Sequence, residues 1–165
     1  MGYALIRTAA ILTLLGLLAA PAFAQTDKPS VRDSAKSQDC IKTKTGRSWS
    51  WEKCIGLISE PCSKNEASMT PSQVIACYDR ERGVWDDILN ESLRRLLDRL
   101  DDEQVGKLRE MQRAWIASRD KNCGFLNDYF QGTMANPMIA ACLSRATGMQ
   151  ALYLLGFAND VAERK

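Results

Sequence analysis

The sequence predicts an all-α protein, a disulfide-stapled antiparallel helical hairpin packed with a third, C-terminal helix. In three long segments the apolar residues recur at steps of three and four, which is the period of an amphipathic helix. No segment of useful length alternates between apolar and polar residues, as a half-buried strand would. The 165-residue chain also holds six cysteines, an even number that suits disulfide bonds.

Residues 1–24 have the order of a signal peptide. A short basic start, residues 1–7, precedes a mostly apolar run over residues 8–18. Ala22 and Ala24 then place small residues at the two positions that a signal peptidase reads. The apolar run is shorter than the roughly 20 residues that cross a bilayer. We therefore expect a cleaved signal, a periplasmic or secreted protein, and no stable membrane insertion.

The remaining chain is predicted to form one domain behind a short leader. Residues 25–39 are polar, and we expect a flexible leader there. Residues 40–165 are predicted to form a single helical domain with a modest core. Its first part, residues 40–61, lacks clear periodicity. One or two helical turns at the edge of the core are expected there from Trp49, Trp51, Ile55, Leu57 and Ile58.

The first long helix has a readable start. Thr70 provides a capping hydroxyl, Pro71 takes the first helical position and Gln73 the third. Gly83 weakens this helix and predicts the close approach of a neighbouring segment. The apolar stripe of the helix consists of Val74, Cys77, Tyr78, Trp85, Ile88, Leu89, Leu96 and Leu100.

Two further helices follow. Acidic residues 101–103 break the stripe and predict the start of a second helix over residues 102–122. The short link favours an antiparallel pair, with one continuous rod as the alternative. Residues 124–136 are predicted to form a loop, because Gly, Asn and aromatic residues accumulate there. Asn136 and Pro137 open the third helix, with the stripe Ile139, Cys142, Leu143, Ala146, Tyr153, Leu154 and Phe157.

The cysteines all follow the predicted cleavage point, which favours disulfides formed after export. Six cysteines allow 15 pairings. We prefer the sequential set, Cys40–Cys54, Cys62–Cys77 and Cys123–Cys142, in which each bond closes a loop of about 15 to 20 residues. A metal site is the alternative. The chain has no histidine and no CxxC pair, the spacing that zinc sites use, so we expect no metal.

The charge balance argues against a nucleic-acid-binding protein. The whole chain has 22 basic and 20 acidic residues, and removal of Arg7 with the signal leaves 21 basic residues. A dedicated nucleic-acid binder needs a strong basic excess. The charge is uneven, however: residues 27–53 hold seven basic and four acidic residues, while residues 86–103 hold seven acidic and three basic. This distribution either orients a charged partner or reflects two solvated faces.

Polar residues interrupt the apolar stripes at informative positions. Glu81 lies near the middle of the first stripe, while Gln112 and Arg119 lie on the same side of the second helix as Leu108 and Trp115. A buried charge must be paired and hydrogen-bonded. We therefore predict that Glu81 meets Arg119 across the helix pair, with Gln112 nearby.

Arg113 flanks this predicted network and is expected to reach Asp86 or Asn90. Two interpretations of the network compete. In the favoured one, buried polar groups fix the register of the helix pair. In the other, Arg113 and Arg119 line a cleft that captures a carboxylate or a sugar.

The residue types argue against an enzyme. Without histidine there is no Ser–His or Cys–His pair, and the cysteines are expected to be oxidised. Asp86 and Asp87 are adjacent on a helix, so their carboxylates point about 100° apart rather than across a cleft. The glycines are scattered and form no phosphate-binding loop. We expect neither catalytic residues nor a cofactor.

Two segments carry a resemblance to a known family. Residues 77–90 read C-Y-x-x-E-x-x-x-W-D-x-x-L-N, and residues 111–123 read M-Q-R-A-W-I-x-x-R-D-x-x-C. Followed by a cysteine on a last helix, this order resembles the lysozyme-inhibitor LprI-type N-terminal domain. The run QRAWIASRDKNC is its most specific part. An upstream pattern, C-I-G-x-x-x-x-P-C over residues 54–62, resembles a cysteine-rich version of the family.

The resemblance implies a small exported bacterial helical domain that inhibits lysozyme or another cell-wall lytic enzyme. The alternative is a non-inhibitory envelope interaction module. This sequence departs from the family pattern at residues 131–133, which hold one glycine where two are expected, and at Gln150, where arginine is common. The positions that the resemblance marks are Trp85, Asp86, Leu89, Asn90, Gln112, Arg113, Trp115, Arg119 and Cys123.

Overall fold

A computed structural model describes residues 28–44 and 48–164 of the protein, with the backbone alone at residues 48 and 49. These residues contain five α-helices and two 3-10 helices. No strand occurs in these residues, so the all-α prediction is confirmed. The predicted signal peptide, residues 1–24, lies outside them. The α-helices are α1 (Val31–Thr43), α2 (Ser59–Cys62), α3 (Pro71–Leu97), α4 (Asp102–Phe130) and α5 (Ala135–Glu163), and the 3-10 helices are Ser48–Cys54 and Glu66–Ser68.

Capping boxes begin three of the four long helices. At the start of α3, the Thr70 hydroxyl accepts a hydrogen bond from the backbone N–H of Gln73, whose side chain accepts one from the Thr70 N–H. This confirms the predicted helix start. Asp101 caps α4 in the same way, with the Gln104 N–H 2.8 Å from its carboxylate. Each reciprocal pair satisfies two backbone donors that a helix end leaves unpaired.

α5 is the central helix of the bundle, because α3, α4 and the 3-10 helix Ser48–Cys54 all pack on it. Trp85 of α3 lies beside Gly148 of α5. Ten residues later in both helices, Arg95 of α3 donates to the Ala158 carbonyl of α5 at 3.1 Å. α3 and α5 therefore run parallel. α4 runs antiparallel to both. Its Gln112 is bonded to Gln150 of α5, whereas Cys123, later in α4, is bonded to Cys142, earlier in α5.

The hydrophobic core lies where these three helices meet. α3 and α4 are antiparallel as predicted, but the main packing partner of α3 is α5 rather than α4. α4 contributes little buried surface, since Leu108, Gln112 and Cys123 are its only buried residues. The buried core consists of Cys54, Trp85, Leu89, Leu96, Leu108, Ala151, Leu152, Leu154 and Ala158.

Three disulfides connect the peripheral segments to this bundle: Cys40–Cys54, Cys62–Cys77 and Cys123–Cys142. They are the sequential set preferred from the sequence, with separations of 14, 15 and 19 residues, and none of the six cysteines is free. The first bond ties α1 to the 3-10 helix Ser48–Cys54, the second ties α2 to α3, and the third ties α4 to α5.

The prediction of a flexible leader over residues 25–39 is wrong for residues 31–39, which belong to α1. Ser30 and Asp33 form a capping box at its start, and the Lys36 ammonium donates to the Leu57 carbonyl at 2.6 Å. Pro29 lies against Gly83, so close that a Cβ at Gly83 would stand 2.7 Å from the proline ring. The close approach predicted from Gly83 is thus confirmed. The neighbouring residue, Pro29, belongs to residues 25–39, which were predicted to be the flexible leader.

The prediction of a loop over residues 124–136 is also wrong for most of its length. α4 continues to Phe130 and α5 begins at Ala135, which leaves residues 131–134 as the link. The chain turns at Gln131 (φ 46°) and Gly132 (φ 86°). The prediction rested on the accumulation of Gly, Asn and aromatic residues, but a single glycine such as Gly124 costs a helix only about 1 kcal/mol.

By length and composition, α5 is apolar enough to cross a membrane, alone among the helices described. This is weak evidence for a membrane span, because the central helix of a helical bundle has the same composition.

Asp33 makes α1 sensitive to acid. Burial raises the pKa of this carboxyl, but the Ser30 N–H and hydroxyl, Arg80 and Lys36 together outweigh burial and hold the pKa below its ordinary value of 3.8. A carboxyl with a lowered pKa stabilises the fold above its unfolded pKa, and this contribution is lost as the pH falls through the folded pKa.

Asp33→Asn is therefore expected to lower the free energy of unfolding by about 1 kcal/mol at neutral pH. The difference from the parent protein should shrink as the pH falls below 3.8. Urea unfolding from about pH 7 to about pH 2 measures it. Asp39→Asn, an exposed change on the same helix, is the control and should cost less than about 0.5 kcal/mol. A difference for Asp33→Asn that stays constant across this range would contradict the assignment.

Candidate interaction site

Glu81 is an interior anion and not part of an accessible site. Its side chain is 1% exposed, and its carboxylate accepts four hydrogen bonds. The donors are the backbone N–H groups of Gly56 (2.5 Å), Ile58 (3.1 Å) and Ser59 (2.7 Å) and the indole N–H of Trp85 (3.0 Å). The predicted Glu81–Arg119 pair is therefore wrong. Glu81 holds the disulfide-bounded segment between Cys54 and Cys62 onto α3.

Gly56 gives this segment its shape. Its φ of 98° lies in the region that favours glycine, and it turns the chain so that three nearby amides converge on one carboxylate. These amides are functional partners of Glu81 that the sequence reasoning missed. The available signal was Gly56 in the C-I-G pattern at residues 54–56, since a glycine in a segment without helical periodicity predicts a turn.

Trp85 and Gln112 are interior residues as well. Trp85 is fully buried in the core, where its ring lies beside Gly148. Gln112 of α4 accepts a hydrogen bond from the Gln150 side-chain amide of α5 at 2.6 Å, and both glutamines are buried. Gln150, a departure from the family pattern, therefore has a structural role in this protein. Its bond to Gln112 fixes the level at which α4 crosses α5.

Four of the predicted residues are exposed or half-buried, and we call them together the α3–α4 face: Asp86 and Asn90, one turn apart on α3, and Trp115 and Arg119, one turn apart on α4. The Arg119 guanidinium lies 4.9 Å from the centre of the Trp115 ring and pairs with Asp120 at 2.8 Å. Burial raises the pKa of Asp86, the positive charges of Arg82 and Arg119 act against it, and Asp87 adds to it, so that the pKa lies above its ordinary value. Arg119 thus lies close enough to Asp86 to interact with it.

Arg113 does not join this surface as predicted. It is exposed, and no ion pair or hydrogen bond connects it to Asp86 or Asn90 among the residues that the structure describes. The helical period explains the difference: Arg113 is two residues before Trp115, so it lies about 200° around α4 from Trp115, which packs against the core.

An acidic turn lies at one end of the α3–α4 face. It comprises residues 98–103, in which Asp98, Asp101, Asp102 and Glu103 are all exposed. Asp101 also caps α4, and Glu103 pairs with Lys107 at 2.6 Å. Because the turn is the tip of two helices, its carboxylates are accessible to a large partner.

The residues described include no cluster of acidic, histidine or cysteine side chains that could hold a metal ion. A groove of about 560 Å³ lies between α1 and α3, and none of the predicted site residues lines it. Trp115 and Arg119 are residue types that dominate the binding energy of protein interfaces.

Comparison with known proteins identifies one family. The sequence model described as "Lysozyme inhibitor LprI" matches residues 62–154, which is more than half of the chain. No curated protein and no solved structure matches significantly. The matched region begins at Cys62 and runs from α2 through most of α5, so it includes the α3–α4 face, the acidic turn and two of the three disulfides.

Proposed function

Because this chain belongs to the LprI lysozyme inhibitor family, we propose that it binds a lysozyme or a related cell-wall lytic enzyme and slows it. Family membership is the observation that carries the proposal. The family is one of inhibitors and not of catalysts. The three disulfides of this chain are typical of an extracytoplasmic protein. They support the proposal, because lytic enzymes reach the cell wall outside the cytoplasm.

We assign the contact with the enzyme to the α3–α4 face together with the acidic turn. A stacked Trp115–Arg119 pair offers a large, partly ordered surface that loses little conformational freedom on binding. Asp86 and Asn90 add hydrogen-bonding groups one helical turn apart. The core residues Glu81, Trp85 and Gln112 support this face from below without touching the partner.

The acidic turn supports the choice of partner. Lysozymes of the animal type are strongly basic, and an acidic patch on an inhibitor speeds its encounter with a basic enzyme. The whole chain is nearly neutral, with 22 basic and 20 acidic residues, so the patch acts as a local feature.

A turbidity assay tests the proposal directly. Purified, oxidised protein without residues 1–24 is added at micromolar excess to lysozyme acting on bacterial cell walls. We expect slower clearing with at least one lysozyme type. No slowing with any of several types would reject inhibition and favour the non-inhibitory envelope module, while clearing by the protein alone would favour an enzyme.

Removal of charge from the acidic turn is expected to slow association about tenfold at low salt, with little effect at high salt. The variant carries Asp98→Asn, Asp102→Asn and Glu103→Gln. Stopped-flow or surface-binding kinetics at two ionic strengths measure the association rate. The control removes the same charge outside the acidic turn and the α3–α4 face, through Glu52→Gln, Glu66→Gln and Asp128→Asn, all at exposed residues. Equal effects of the two variants would contradict the assignment of the turn.

The α3–α4 face is tested in the same experiment by Arg119→Met. This change keeps the apolar stem against Trp115 but removes the charge, so dissociation should accelerate while folding is retained. A folded Arg119→Met protein with unchanged dissociation would exclude Arg119 from the contact.

A further inference from the structure

The exposed apolar surface of the molecule is concentrated on one helical hairpin. Of the ten large hydrophobic side chains that are exposed in the described residues, nine lie between Ile116 and Phe157, on α4, α5 or their link. Monomeric proteins rarely leave large apolar side chains grouped in this way. The grouping falls outside the α3–α4 face and the acidic turn, so the enzyme contact proposed above does not account for it.

On α5 the exposed residues form a regular stripe. Met149, Tyr153 and Phe157 are four residues apart and are 37%, 52% and 42% exposed. This spacing places them on one face of the helix, and the Tyr153 and Phe157 rings already touch, with their centres 4.7 Å apart. The opposite face of α5 is buried against α3.

Charges of opposite sign lie at the two ends of the stripe. Arg145 is one turn before Met149, and Asp160 is three residues after Phe157. Both are exposed, and neither has an ion-pair partner within the described chain. The α5 stripe, Arg145 to Asp160, is therefore positive at one end, apolar in the middle and negative at the other end.

We propose that the α5 stripe binds a second copy of this chain, with the two α5 helices antiparallel about a two-fold axis at Tyr153. In that arrangement Tyr153 meets Tyr153 of the second copy. Met149 meets Phe157 of the second copy at one side and the reverse contact forms at the other, since an isologous interface makes each contact twice. Arg145 then lies opposite Asp160 of the second copy.

The order of residues along the stripe favours this occupant. Met149 and Phe157 stand four residues on either side of Tyr153, and Arg145 and Asp160 stand eight residues before it and seven after it. Both pairs are complementary in chemistry: a thioether with an aromatic ring, and a guanidinium with a carboxylate. A stripe built for an unrelated partner has no reason to be complementary to its own reverse. A lipid bilayer is a poorer match, because the stripe ends in an uncompensated carboxylate.

The α5 stripe includes none of the residues of the α3–α4 face. The inference therefore goes beyond the inhibitory function and does not depend on it. A dimer that forms in a protein without inhibitory activity would support the dimer and reject only the function.

Sedimentation equilibrium of the oxidised protein tests the dimer. We expect a mass twice that of one chain at concentrations of about 100 µM, and dissociation on dilution. Tyr153→Glu should give a monomer, because it brings two carboxylates together at the axis. Tyr129→Glu, an equally drastic change at an exposed aromatic residue outside the stripe, should leave the dimer intact.

A charge exchange tests the register. Arg145→Glu and Asp160→Arg, each alone, should weaken the dimer about tenfold, because like charges then face each other. The double variant should restore the dissociation constant to within about threefold of the parent value. Four results would each overturn the proposal. They are a monomer at about 100 µM, a dimer that survives Tyr153→Glu, a double variant as weak as either single one, and a monomer that binds neutral lipid vesicles through this stripe.

Discussion

Glu81→Gln is expected to lower the free energy of unfolding by about 3 kcal/mol. Each carboxylate oxygen accepts two hydrogen bonds: Oε1 from Gly56 and Trp85, and Oε2 from Ile58 and Ser59. An amide keeps only one accepting oxygen. Whichever way the amide turns, its NH2 group faces two N–H donors, which leaves two buried donors unpaired at about 1 to 3 kcal/mol each.

Denaturant unfolding with the disulfides intact measures this loss, and hydrogen exchange locates it. The amides of Gly56, Ile58 and Ser59 should exchange faster in the variant, because they lose their acceptor. Glu60→Gln makes the same chemical change at an exposed carboxylate in the same disulfide-bounded region and should cost less than about 0.5 kcal/mol. Equal costs for the two variants would show that Glu81 does not hold this segment.

The helix starts were predictable because their signals are local. A capping box needs only residues three apart, and Thr70–Gln73 identified the start of α3. The same pattern at Ser30–Asp33 begins α1, in a segment whose polar composition alone led to the prediction of a flexible leader. Composition averages over a segment, whereas a cap acts at one position, so the cap was the better guide to α1.

The partner of Glu81 was not predictable from periodicity. The helical period correctly placed Glu81 on the buried side of α3, and the need for compensation was correctly inferred. What the period cannot give is the conformation of an irregular segment 22 to 25 residues away in the chain. Backbone amides of that segment hydrogen-bond the Glu81 carboxylate, so no basic residue is required to compensate its charge.

The helical periodicity of the apolar residues also overstated how much of α4 is buried. Ile116 belongs to its apolar pattern but is exposed, and Trp115 is only partly buried. A pattern marks which side of a helix is apolar and does not show whether a neighbour covers that side. α4 packs on α5 around Leu108 and Gln112, and is bonded to it again at Cys123.

Reduction of the three disulfides is expected to lower the free energy of unfolding by about 9 kcal/mol, or about 3 kcal/mol for each loop of this length. This loss is comparable to the whole stability of an ordinary domain, about 5 to 15 kcal/mol. The effect should be strong here because the peripheral helices bury few apolar residues. In α1 the buried residues are the polar Asp33 and Ser37.

Far-UV circular dichroism under reducing conditions measures the loss of helix, and thiol titration verifies that all six cysteines are reduced. We expect a lower thermal midpoint by tens of degrees and incomplete helicity at room temperature. A control with oxidised protein in the same buffer separates reduction from solvent effects. Helix content and thermal midpoint that stay unchanged with six free thiols would contradict the expectation.

The Cys123→Ser/Cys142→Ser variant isolates the bond that holds α4. Since α4 contacts the bundle over its first half through Leu108 and Gln112, this half should remain protected from hydrogen exchange. Residues 124–130 lie beyond the bond and have no buried residue, so their amides should lose protection first. Cys40→Ser/Cys54→Ser should instead release α1 and leave residues 124–130 protected. If both variants lost protection in the same residues, the disulfides would stabilise the bundle only as a whole rather than each holding its own helix.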